Sequence, residues 1–188
     1  MTKRQFLLGL YLNLANYQEQ SGKQMARDKC LVLAGSCAAT MHLTRISDYC
    51  RYRILESNKA HFVGRYASFA EALADPSFDS YLRGLHRAHP VDQARATVWS
   101  LGINVRADHG KYPNDEHFAA AVLRTTPEQI AELLDRVAES VDEDAVEEKT
   151  LSESGPLSGF FDDLIDDDDD DLEDDEEGHA LDGDGDAA

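Results

Sequence analysis

Apolar residues Phe6, Leu7, Leu10, Leu14 and Tyr17 recur at three- and four-residue intervals with polar Gln5, Asn13, Asn16 and Glu19 between them. This period predicts an amphipathic helix that stops near Gly22. Residues 25–66 contain no proline and only two glycines, Gly35 and Gly64, and change from almost uniformly apolar (30–43) to amphipathic. The stretch predicts one long helix, or two joined near Gly35, whose first part lies at the centre of the core.

Further along, the start and stop signals are sharper. Ser68 and Glu71 have capping-box spacing and place a short helix from Phe69. Asp75 followed by Pro76 starts another, with Phe78, Tyr81, Leu82 and Leu85 on its apolar stripe. Pro90 opens a third through Val91, Ala94, Val98 and Leu101 to a stop at Gly102. Residues 103–114, with Asp108, Gly110, Pro113 and Asn114 and no period, read as an exposed loop. Helices resume over 115–124 and at a second capping box, Thr126 to Gln129, continuing through Ile130, Leu133, Leu134 and Val137. No strand pattern or repeat interrupts the series, so the expected fold is all-α, a single bundle-like domain of about six or seven helices.

Charge divides the chain. Residues 141–188 hold 22 Asp and Glu against Lys149 alone, a net −21, whereas residues 1–140 hold 17 basic and 15 acidic groups, a net +2. A 140-residue body is a normal size for one domain. The acidic segment has too little apolar surface to offset the entropy of ordering it, and is expected to be a disordered tail. Cys30, Cys37 and Cys50 are an odd number without a CxxC pair, which fits a reducing, cytoplasmic setting better than a disulfide framework. Lys3 and Arg4 ahead of the apolar 6–14 imitate a secretion signal, but Gly9 and Asn13 interrupt it and no clean cleavage pattern follows. Residues 30–43 fall short of the ~20 that cross a bilayer, so no membrane association is expected.

Candidate chemistry is sparse. Arg45, Arg51, Arg53, Lys59 and Arg65, with His42 and His61, form a basic strip interleaved with Tyr49, Tyr52 and Tyr66. Arginine beside tyrosine suits phosphate contact and base stacking. The plainer reading is a solvated face with local ion pairs, Arg45 to Asp48 and Arg53 to Glu56, because +2 is far from a dedicated nucleic-acid binder. His86 and His89 lack a third metal ligand at suitable spacing other than Asp92, so neither metal nor cofactor is expected. The spacing of Arg83 and His89, with five residues between, resembles the motif of the all-helical HEPN ribonucleases. That resemblance, which covers those two residues alone, implies that Arg83 and His89 act on an RNA phosphodiester by general acid–base chemistry. Gly84 stands where the motif usually carries a polar residue, and Pro90 follows the histidine. Histidines in the last turn are equally explained by the helix dipole. No glutamate–histidine pairs of the di-iron kind, nucleophile elbow, P-loop or dinucleotide fingerprint occurs, and Cys30 and Cys37 read as small core residues.

The most specific pattern lies in the acidic segment. Phe160, Phe161, Leu164 and Ile165 cluster at helical spacing just before Asp166, Asp167, Asp168, Asp169, Asp170 and Asp171. Carboxylates that steer and apolar groups that dock are the means by which acidic-hydrophobic segments enter a groove with a basic rim. Solubility alone needs no such apolar cluster, and calcium binding lacks a loop of the EF-hand kind. The functional reading is a non-enzymatic interaction or regulatory module whose tail engages a basic protein partner or masks the basic face of its own body. The alternative is a helical nucleic-acid binder, or a HEPN-like ribonuclease using Arg83 and His89.

Overall fold

Thr2 begins the fold by capping its first helix. In the computed structural model its hydroxyl accepts from the Gln5 amide, and the Gln5 side chain accepts from the Thr2 N–H in return. The structure describes the backbone of residues 1–152 and the side chains of residues 1–140. Phe160, Phe161, Leu164, Ile165 and the run Asp166 to Asp171 lie outside the described residues.

α1 (Lys3–Gln20) ends where Gly22 takes φ 68°, a left-handed conformation glycine adopts without strain. It packs most extensively on α2 (Gln24–Thr40), which in turn packs on α3 (Thr44–Ser57). α2 is the centre of the body, with every residue from Cys30 to Ser36 buried. A 3₁₀ turn (Phe62–Arg65) and α4 (Phe69–Ala72) follow, then α5 (Pro76–Ala88), α6 (Val91–Ser100), α7 (Val105–His109), α8 (Asp115–Val122) and α9 (Pro127–Ser152). The described residues are all-α, with nine α-helices and no strand. Residues 1–148 form one compact unit. α9 continues past residue 140 to Ser152.

The long apolar stretch divides, but not at Gly35. The break falls at Met41–Leu43, where His42 takes φ 59° and the Leu43 amide donates to the Ala38 carbonyl at 3.0 Å. Gly35 lies inside α2 because the Phe69 ring occupies the space a Cβ would need, with its Cδ2 only 2.9 Å from that position. The predicted loop at 103–114 also contains structure. Asn104 accepts from the Ala107 amide at 3.2 Å and starts α7, which inserts Val105, 3% exposed, into the core. The other caps lie where their residues put them. Ser68 accepts from Glu71, Asp75 from Ser77, and Thr126 and Gln129 cap each other. Tyr81 and Leu101, placed on apolar stripes, are less enclosed than their neighbours, half-buried and 40% exposed respectively.

Candidate functional site

The densest polar constellation joins the first three helices. Arg27 and Asp28, at 5% and 6% exposure, are buried side by side at the start of α2. The Arg27 guanidinium donates to Asp28 Oδ1 at 3.0 and 2.7 Å, to Glu19 at the end of α1 at 3.2 Å, and to the Ser57 hydroxyl at the end of α3 at 2.6 Å. It also reaches the Arg53 carbonyl at 3.4 Å. Arg53 donates to the same Glu19 carboxylate from the α3 side and lies over the Tyr49 ring, 5.9 Å from its centroid. A charged pair this deep is tolerated because nearly every donor and acceptor has a partner. Its chemistry is that of a joint, fixing the ends of α1 and α3 against the start of α2.

The basic strip is taken up within the body only in part, and His42 and Lys59 are exposed. Arg51 donates to the Tyr66 carbonyl at 3.0 Å, and Arg53 belongs to the joint and lies 3.5 Å from Glu56. Arg65 stacks on the Phe62 ring at 5.0 Å. Arg45 remains outward, with a 59% exposed side chain 4.0 Å from Glu116, a separation at which a surface pair contributes little. The interleaved tyrosines are also engaged. Tyr49 is buried, Tyr52 donates to Glu56 at 3.2 Å, and Tyr66 donates to Asp75 at 2.9 Å inside an aromatic cluster with Phe62 and Phe78.

Arg83 and His89 occupy different surroundings. Arg83 is exposed midway along α5 and pairs with Asp79 at 3.1 Å. His89 is the residue past the helix end, half-buried, and burial followed by nearby Lys29 lowers its pKa. Neither a hydrogen bond nor an ion pair joins the two among the described residues. His86, exposed on α5, lies 3.5 Å from the Tyr11 hydroxyl through Nδ1.

Cys30 and Cys50 are buried and Cys37 half-buried. Burial pushes their thiols up to about 12, about 12 and about 11, the opposite of what a nucleophilic thiolate needs. Among the described residues no group of three metal-ligating side chains assembles, and no helix is long and apolar enough to cross a membrane. Sequence reasoning missed two features, the Arg27–Asp28 joint and a second cluster in which Asp115 accepts from Gln5 at 3.0 Å and lies 2.7 Å from His109 Nε2. Neighbouring residues of opposite charge at 27 and 28 carried no periodic signal, since their partners are 8 to 30 positions away. No family model, curated protein or solved structure matches the chain.

Proposed function

We propose that the protein is a non-enzymatic interaction module that engages a basic partner through residues 157–171. The observation that carries this reading is the placement of Phe160, Phe161, Leu164 and Ile165 directly before six consecutive aspartates, in a segment of net charge −21 beside a nearly neutral body. Carboxylates supply long-range attraction and apolar side chains supply the contact area that holds the partner. The engagement of Arg51 and Arg53 inside the body favours a separate basic partner over masking of the protein's own strip. High thiol pKa values and the separate surroundings of Arg83 and His89 favour binding over catalysis.

The experiment measures binding of the full chain to a lysine- and leucine-rich amphipathic helical peptide at low and moderate salt. Replacing Phe160, Phe161, Leu164 and Ile165 together with Ala weakens binding at least about tenfold at both salt concentrations, with the thermal transition of the body unchanged. Wild-type affinity itself falls as salt rises. Equal affinity of the two proteins contradicts the proposal. Cleavage of labelled RNA by the wild type that is lost in Arg83→Ala and His89→Ala would instead establish the ribonuclease reading.

A further inference from the structure

A cavity of about 410 Å³ opens between α1, the segment after α6 and the end of α8, within the volume range of small-molecule sites. Asn13, Asn16 and Tyr17 line it from α1, Ile103 and Val122 give it an apolar side, and among the described residues Arg124 is its one charged lining residue. The two asparagine amides have defined orientations. Asn13 Nδ2 donates to the Gly9 carbonyl at 2.8 Å and Asn16 Nδ2 to the Val122 carbonyl. Since a carbonyl can only accept, each side chain keeps its Oδ1 as an acceptor, and neither oxygen receives a hydrogen bond among the described residues.

Arg124 adds a second, independent observation. It ends α8 at φ 61°, with its amide donating to Ala121 and that of Thr125 to Ala120, both at 3.0 Å. α1 and α6 also end on left-handed residues, Gly22 at φ 68° and Gly102 at φ 75°, and α2 ends on another non-glycine, His42 at φ 59°. An arginine in this conformation costs free energy that glycine avoids. Here the costly choice falls on the cavity's only cationic lining residue among the described residues.

We propose that this cavity binds a small zwitterion of the apolar amino-acid class. The carboxylate pairs with Arg124, the ammonium donates to the Oδ1 atoms of Asn13 and Asn16, and the apolar side chain lies against Ile103 and Val122. This site shares no residue with 157–171 and does not depend on the reading proposed for them.

Calorimetric titration of the full chain with L-leucine, leucinamide and 4-methylpentanoate tests the assignment. Leucine binds saturably, whereas leucinamide, without the carboxylate, and 4-methylpentanoate, without the ammonium, bind at least about tenfold more weakly. Arg124→Gly raises the melting temperature by relieving the left-handed arginine, yet weakens leucine at least about tenfold. Arg124→Gln, which keeps a side chain at this position, weakens leucine similarly. No saturation by about 10 mM leucine overturns the proposal, as does undiminished binding by both Arg124 variants. Equal binding of 4-methylpentanoate overturns the zwitterion assignment, because the asparagine oxygens would then take no part.

Discussion

Gly35 and Gly84 both lie inside helices, and their surroundings demand opposite things. At Gly35 an added methyl would meet the Phe69 ring, while at Gly84 no heavy atom lies within 4 Å of a Cβ. Gly35→Ala is therefore expected to destabilise the protein by about 1–3 kcal/mol through overpacking. Gly84→Ala should stabilise it by about 0.5–1 kcal/mol by improving helix propensity. Urea denaturation of both variants checks the pair, and equal effects would show that Phe69 does not determine Gly35. The same residue explains a misplaced boundary. A glycine in an apolar run suggests a joint, but this one permits close packing between α2 and α4, and the real joint is made by His42 in a conformation its residue type does not advertise. Where caps are local, as at Ser68, Asp75 and Thr126, the residues that write the signal also make the hydrogen bonds, so those helix starts were legible.

Among the elements, the ends of α1 and α3 are tied to the start of α2 by Arg27. Removing one member of a buried pair leaves the other charge without compensation, whereas removing both can be nearly neutral. Arg27→Met should cost about 3–5 kcal/mol, and Arg27→Met combined with Asp28→Leu should recover much of that loss. A double-mutant cycle in urea measures the coupling, and additive losses would show that the two charges do not act as a pair. The 3₁₀ turn after α3 depends on protonation. His61 Nδ1 accepts from the Val63 amide at 3.2 Å, which requires that nitrogen to be unprotonated. Burial lowers the His61 pKa, with Asp28 acting in the other direction, and burial then Lys29 lowers that of His89. Because the folded values lie below the unfolded value near 6.5, the unfolded chain takes up protons first. The contribution of these histidines is complete above about pH 6.5 and declines as pH falls through the window down to the folded values. His61→Asn with His89→Gln should flatten that part of the stability profile, and an unchanged slope would assign it to other groups. α7 escaped a periodicity reading because five residues hold barely one turn, and only Asn104 beside Val105 marked it.

For the whole molecule, the all-α class was legible because apolar spacing and caps agree along most of the body, and consistent local signals specify one class of fold. The Arg27 joint and the cavity beside Arg124 were not, because each brings together residues far apart in sequence on separate helices. Candidate chemistry read from local clusters fared differently. The strip Arg45, Arg51 and Arg53 is contiguous on paper, yet two of its arginines hold the body together. What stays outside this internal accounting is the charge asymmetry, 22 acids against one lysine after residue 140, with four large apolar residues set among them. Under the proposed function these residues are the working surface. Hydrogen–deuterium exchange of the full chain, with and without the basic amphipathic peptide, locates that surface directly. The account predicts that the peptide slows exchange across residues 157–171 and leaves the helices of the body unchanged; slowing confined to residues 1–140 would contradict it.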